Sequence, residues 1–322
     1  MAAMGGLFSM ARYLTRHRVR IFAYHGVSRD VDPALNFDGF FVHPDVFERH
    51  LRTLKGHYHV MSLSEIVQSL TEGRPLPKGA SAITFDDGYM NNLSEAAPLL
   101  AQYRLPATFF VTTGFIDGTH EPWWFTLRAE VFRVQGSGFR LPDGVRKELK
   151  TREDRVQAVI AWETHLKNLS AEMRNQELTE IISEPRTLNP ESCALMTWAH
   201  LRELAAQGHE IGAHTVSHIS LGHETPDVVE REIIDSIARV RDDLGSVCPV
   251  YSYPYGEAAH FSSSLGDVLR RQDCIGGVTT LEGMNPPGTD SFQLKRLNVT
   301  GRHDRYAFRA LASGFTGMLK QR

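Results

Sequence analysis

Ala80-Ser81-Ala82-Ile83-Thr84-Phe85-Asp86-Asp87-Gly88-Tyr89 is an unbroken apolar run of strand length that ends in two adjacent carboxylates and a glycine. A run without polar alternation is what a strand buried on both faces requires. Downstream, Ser94 to Tyr103 reads as a helix with Pro98 near its start, and Ala107 to Thr113 (ATFFVTT) as a β-branched and aromatic strand. Strand, helix, strand implies parallel strands joined by a crossover helix. Upstream the same rhythm holds. Arg20 to His25 (RIFAYH) is a strand, and Pro44 to Lys55 is a helix carrying Phe47, Leu51 and Leu54, with Gly56 as its stop. HYHVMSL (57–63) is a short strand, and Ser62 with Glu65 forms a capping box for a helix through Leu70 that Gly73 closes.

Beyond Thr113 the rhythm breaks. From about 117 to 195 the chain is polar and helix-prone with no convincing buried strand, which reads as a helical insertion. It then resumes with a helix capped by Thr197, the strand EIGAH (210–214), and a long amphipathic helix from Pro226 to Gly245. VYSYPYG (250–256), IGGVTT (275–280) and FQLKRLNV (292–299) are the last strands, and Arg305 to Arg322 is a final helix. Seven or eight parallel strands favour an α/β fold closed into a (β/α) barrel over an open sheet. The expected organisation is an N-terminal segment, 1–19, and one domain, 20–322, that contains the insertion.

The 322 residues carry 35 Lys and Arg against 38 Asp and Glu, so no net basic character suits a nucleic-acid partner. Hydrophobic residues at 42% and charged residues at 23% exclude a disordered chain. With 3 cysteines and no CxxC pair, a thiolate zinc site or a disulfide framework is not expected, and a reducing compartment is. The start has an apolar stretch followed by Arg12, Arg16, Arg18 and Arg20, the reverse of a secretion signal. Two readings stand for it: a frayed helix leading into the first strand, or a weak membrane-surface contact through Leu7, Phe8, Met10 and Leu14. Cytoplasmic action, with or without membrane association, is the expectation.

The polar groups of interest stand at the C-terminal ends of the strands, where parallel α/β folds build their sites. Asp86 and Asp87 would repel unless a cation sits between them; a metal on one leaves the other free as a base. His214-Thr215-Val216-Ser217-His218 holds two imidazoles four apart, able to converge on one ion from a helix or across a tight turn. One carboxylate with two imidazoles leaves open positions, as catalytic metal sites do. Tyr253-Pro254-Tyr255-Gly256 is either a plain turn or a rigid loop that offers an N–H and aromatic walls to a ligand.

In this order, TFDDG (84–88), HTVSH (214–218) and YPYG (253–256) resemble the polysaccharide deacetylase family, the carbohydrate esterases with a NodB homology domain. AYHGV (23–27), PATFFVTTGF (106–115) and LAAQGHEIGAHTVSH (204–218) look like its exopolysaccharide-biosynthesis branch. The resemblance implies a distorted (β/α) barrel that hydrolyses the N-acetyl group of an amino sugar with a divalent metal. Zn²⁺ suits the set best, and Co²⁺, Ni²⁺, Mn²⁺ or Fe²⁺ are compatible. It further implies that Asp87, His214 and His218 hold the metal, that Asp86 is the general base, and that Tyr255 gives its backbone N–H to the oxyanion, with Pro254 and Tyr253 beside it at the substrate.

This sequence departs from the family pattern at two places. Ser252 stands where most members carry an arginine that orients the base. Arg296 is either its replacement or an ordinary surface residue. No late histidine in the family's general-acid context is present. His25, at the end of the first strand, is the preferred substitute and His303 the second, with His223 and His260 read as loop residues. Trp123, Trp124 and Phe125 are either a sugar-stacking wall or packing between insertion and barrel. Other readings are deformylation of a sugar, opening of a cyclic ureide, or carbohydrate binding by an inactive barrel.

Overall fold

The computed structural model describes residues 2–134, 138–182 and 193–320. One sheet contains β1 Arg20–Tyr24, β2 His59–Val60, β3 Ala80–Phe85, β4 Thr108–Val111, β5 Glu210–Ala213, β6 Val250–Ser252, β7 Gly276–Glu282 and β8 Leu294–Asn298. The order across it is β6-β7-β8-β1-β3-β4-β5, β2 lies on the start of β3, and all these pairings are parallel. The two outer strands approach each other, and the Cys248 N–H, just ahead of β6, donates to Ile211 O on β5 at 2.7 Å. The sheet is therefore nearly closed into the expected barrel.

Around it lie α1 Ala2–Leu14, α2 Pro44–His57, α3 Leu63–Thr71, α4 Ala97–Tyr103, α5 Trp123–Arg133, α6 Arg152–Leu166, α7 Ala171–Ile181, α8 Trp198–Ala206, α9 Pro226–Leu244, α10 Leu265–Arg271, α11 Arg305–Ser313 and α12 Phe315–Lys320. Among the described residues no helix is long and apolar enough to cross a membrane.

The two-residue period of the strands sorts their side chains onto two faces. Phe22, Ile83, Phe109, Ile211, Tyr251 and Leu297 join one apolar cluster with side chains of α2, α4, α8, α9 and α11, so this face looks outward to the helices. Ile21, Ala82, Phe110, Val250, Val278 and Leu294 form another cluster with Leu63, Ile66 and Val67 of α3. That face fills the barrel, and α3 closes its floor. One and two steps further along the same inner registers stand polar groups: Thr84 then Asp86, Arg296 then Asn298, and Ser252. The interior thus changes from an apolar floor to a polar mouth. Gly212 belongs to the inner face because a Cβ there would meet the Phe110 ring at 2.6 Å.

The insertion is helical, as its composition indicates, with α5, α6 and α7 around the buried Trp162 and one exposed two-residue antiparallel ladder, Phe139–Arg140 with Arg146–Lys147. Its stretch 183–192 lies outside the described residues. Several boundaries differ from the expectation: the strand expected over 57–63 is His59–Val60 alone, and the one expected over 250–256 ends at Ser252. Gly56 does not stop α2, which runs on to His57. The helix expected from Ser94 opens earlier, with a wide π-type turn over Asn92–Ala96. The expected single C-terminal helix is two helices, because Gly314 takes φ +85 and caps the first in a left-handed conformation.

Candidate active site

A cavity of about 330 Å³ opens at the C-terminal ends of the strands, within the size range of small-ligand sites. Ala23, His25, Asp86, His214, Thr280 and Asn298 reach it from the barrel, and Asp38, Phe40, Trp124, Arg128, Glu163, Lys167 and Tyr255 are among its walls.

Asp87 has φ +77 and Gly88 φ +94. The chain turns sharply there, and both carboxylates of the pair line the cavity. The two imidazoles of the HTVSH segment converge across a tight turn, the second of the two arrangements its spacing allows. Thr215 and His218 adopt left-handed φ values of +65 and +53, and Thr215 Oγ1 accepts the His218 N–H at 3.0 Å. Glu232 on α9 accepts the N–H groups of Val216 and Ser217 at 2.8 and 3.0 Å and the Ser217 hydroxyl at 2.5 Å. A helix carboxylate therefore holds the turn that aims both rings.

Asp87 Oδ1 lies 3.6 Å from His214 Nε2 and 3.3 Å from His218 Nε2, and the candidate ligand atoms of these three residues lie within 4.8 Å of one another. His214 Nδ1 is 2.7 Å from Ser252 O, which can only accept, so Nδ1 carries the proton and Nε2 presents its lone pair. Burial lowers the pKa of both histidines, and that of His218, packed among Phe115, Trp124 and Tyr255, falls to about 3. Neutral imidazole is the ligating form. Burial raises the Asp87 carboxyl, and Asp87 Oδ1 has no hydrogen-bond partner among the described residues. A carboxylate oxygen out of water and unpaired is costly. A divalent cation bound by the three would remove that cost, so the donor set fits one.

Asp86 has a different environment. Arg296 grips it with both terminal nitrogens, Nη1 to Oδ1 at 2.9 Å and Nη2 to Oδ2 at 2.6 Å, and Ser252 Oγ stands 3.4 Å from Oδ1. Arg296 is fully buried; its Nε donates to Thr279 O at 2.7 Å. It reaches Asp86 across β1, which pairs with both β8 and β3. Burial alone would raise the Asp86 carboxyl, but the Arg296 charge and hydrogen bonds, with the His214 and His25 rings, together outweigh it and hold the group well below the usual carboxylate range. Of the two readings of Arg296, the surface one is excluded by its burial.

His25 lines the cavity, half-buried and tilted by 31° against the Phe40 ring with centroids 4.1 Å apart. Burial lowers its pKa while Asp87 and Asp86 oppose the shift. Tyr255 also lines the cavity, at φ +57, and its N–H has no acceptor among the described residues. Its hydroxyl accepts from Trp123 Nε1 at 2.9 Å and donates to His218 O at 3.3 Å.

Tyr253 and Pro254 are not on the cavity wall. Tyr253 shares the outward register of Tyr251; its ring stacks on Phe261 and its hydroxyl donates to Phe292 O at 3.0 Å. The motif's first tyrosine is thus a core residue. His303 packs behind α2, where its carbonyl accepts from His50 Nε2 at 2.7 Å. His223 and His260 lie beside one another outside the cavity. Of the insertion's aromatic trio, Trp124 reaches the cavity, Trp123 braces Tyr255, and Phe125 packs against Phe40, Phe41 and Tyr89.

Glu232, Arg128 and Lys167 escaped the sequence reading. Nothing in an amphipathic pattern distinguishes one surface acid or base from its neighbours; for Glu232 the available signal was a turn of exposed N–H groups in need of an acceptor.

The polysaccharide deacetylase sequence profile matches residues 73–271. A Bacillus subtilis (strain 168) protein named "Putative polysaccharide deacetylase YxkH" is 29% identical over 255 residues, 79% of this chain and 64% of that protein. The chain thus spans less than two thirds of that relative. The Streptococcus pyogenes deacetylase PplD, solved in complex with acetate, superposes with a TM-score of 0.62 at 19% identity over 90% of this chain and 96% of that one. IcaB from Ammonifex degensii does so with a TM-score of 0.57 at 17% identity, over 92% and 97%. At these identities the two structures establish the shared fold.

Proposed function

The chain belongs to the polysaccharide deacetylase family, and from that premise we propose that it is a divalent-metal-dependent hydrolase that removes the N-acetyl group from an amino sugar of a polysaccharide or its precursor. The observation that carries this reading is the convergence of Asp87 Oδ1 with His214 Nε2 and His218 Nε2, buried beside a separately held carboxylate.

Asp87, His214 and His218 would hold the cation, Zn²⁺ by preference for a carboxylate–imidazole set, which when bound polarises the acetyl carbonyl and acidifies nearby water. Asp86 accepts the proton of the attacking water. Its pairing with Arg296 fixes its orientation and keeps it ionised at neutral pH, at the cost of low intrinsic basicity. The water oxygen bonds to the carbonyl carbon, and the free N–H of Tyr255 donates to the developing oxyanion. His25, facing the same cavity, relays the proton that Asp86 took from the water to the nitrogen as the carbon–nitrogen bond breaks, leaving acetate and a free amine. Trp124 and Tyr255 offer apolar faces to the sugar ring.

Metal content by plasma mass spectrometry and amine release from chitooligosaccharides test the reading. We expect one zinc per chain, loss of amine release on chelation, recovery on adding Zn²⁺, and joint loss of metal and activity in His218→Ala. Unchanged turnover in the chelated protein or in His218→Ala would overturn it.

A further inference from the structure

Helix α1 carries apolar residues on both sides, which is unusual for a surface helix. Phe8, Ala11 and Thr15 face the protein: Phe8 meets the ring of Phe315 at 5.8 Å, and Thr15 Oγ1 donates to Ser313 O at 2.9 Å. The opposite face should be polar. It is formed instead by Leu7, Met10, Tyr13 and Leu14, exposed at 52, 59, 60 and 61%. These side chains fall within about a third of the helix circumference. Phe8, which the sequence reading grouped with them, is buried, and Tyr13 takes its place.

The surroundings of this stripe are cationic. Among the described residues, α1 with the turn after it and α11 carry Arg12, Arg16, Arg18, Arg305 and Arg309 and no Asp or Glu, in a chain whose net charge is −3. The Arg309 guanidinium lies 5.8 Å from the Phe8 ring. One surface recess collects Arg49, Arg52, His57, Arg305 and Arg309, and another collects Arg16, His17, Arg18 and Arg74. Among the described residues no carboxylate pairs with Arg12, Arg16, Arg18 or Arg309.

We propose that α1 docks the protein on an anionic phospholipid bilayer, lying in the interface with Leu7, Met10, Tyr13 and Leu14 in the acyl boundary and the arginines on the headgroups. Two-fold pairing with a second copy would set these arginine clusters near one another, and four side chains cover far less area than a stable dimer needs. An anionic surface matches both parts of the patch. α1 leads into the strand ends opposite the mouth, since Arg16 O accepts the N–H of Gly79, just ahead of β3. The contact therefore does not involve the cavity.

Co-sedimentation of the full chain with vesicles tests this. We expect binding to equal parts phosphatidylcholine and phosphatidylglycerol, none to phosphatidylcholine alone, and weakening with salt. The triple variant Leu7→Ser, Met10→Ser, Leu14→Ser should lower the partition coefficient by about tenfold or more, with an unchanged circular-dichroism melt and unchanged amine release. Arg16→Gln and Arg18→Gln should each lower it by about fivefold. Absence of binding to the mixed vesicles, parental binding by the triple variant, or a dimer in light scattering that the triple variant dissociates would each overturn the proposal.

Discussion

Arg296 and Asp86 form a pair that is almost wholly buried, with Asp86 at the cavity wall, so removing either partner leaves the other charged and unpaired. Arg296→Met keeps much of the stem and deletes the charge. Asp86 then feels burial without its counterweight, and its pKa rises from a depressed value to one above that of an ordinary carboxyl. The sign follows: the parental group stays ionised well below the usual carboxylate range, whereas the variant loses its ionised base at a higher pH than the parent as pH falls. We expect kcat to fall at least about tenfold and the acidic limb of the pH–rate profile to move upward; parental values of both would return Arg296 to a structural role. Asp86→Asn preserves shape and cannot take a proton, so bound metal should stay while kcat falls by about 10²–10⁴-fold. Metal loss in Asp86→Asn but not in Asp87→Asn would exchange the two assignments. Much of this site was legible in the sequence, because Asp86, Asp87, His214 and His218 lie in short contiguous motifs at strand ends. Arg296 was legible only as a deficit: Ser252 left a carboxylate without its arginine, and a strand next to the first could supply one. Tyr253 misled because a motif does not reveal which of its alternating side chains faces inward.

Helices α2 and α11 meet at His50, which has no solvent exposure. Its ring stacks on Phe308 with centroids 3.9 Å apart, and its Nε2 donates to His303 O at 2.7 Å. Burial lowers its pKa from 6.5 to about 4. In the unfolded chain the ring gains its proton near pH 6.5, in the folded one only near pH 4, so stability present above pH 6.5 is lost as pH falls through that window. The full contribution is about 3 kcal/mol. His50→Leu forfeits the hydrogen bond and should melt below the parent at about pH 7.5, yet close that gap by about pH 5; a constant difference in Tm across this range would exclude His50 as the source. At this scale the sequence was informative where burial is complete, as in β1, β3 and β4, whose continuous apolar runs have one reading. It was weaker at helix ends. Gly56 is solvated and tolerated inside α2, while Gly314 breaks the terminal helix, and the difference lies in the packing around each glycine rather than in its neighbours along the chain.

The insertion is tied to the barrel through Arg128, 3% exposed, which binds Glu163 at 2.7 Å, Asp38 at 2.7 Å and Leu35 O at 2.6 Å. It thereby fixes α5 to α6 and both to the loop after β1. Arg128→Met leaves two carboxylates facing each other on the cavity wall. Losing one partner of such a network costs about 3–5 kcal/mol, so a lower Tm and a raised KM for oligosaccharide are expected, with metal content retained; an unchanged Tm would show that the apolar core around Trp162 holds the insertion unaided. The insertion's helical character was plain from composition, but its attachment depends on charges far apart in the chain, which no local pattern pairs. The barrel itself has a seam. Between β5 and β6 a backbone hydrogen bond, Cys248 N–H to Ile211 O, stands where the other strand pairs have ladders, and His214 Nδ1 to Ser252 O crosses the same gap nearer the mouth. Breathing of the barrel should therefore begin at this junction. An ion held by Asp87 and His214 would join β3 to β5 and act as a clasp across β4, with its binding energy added to closure. In deuterium exchange, added Zn²⁺ should slow labelling of the amides around 211–218 and of Cys248 well beyond its effect on the distant α1, so the protein's catalytic competence and the tightness of its barrel would rise and fall with the supply of one cation.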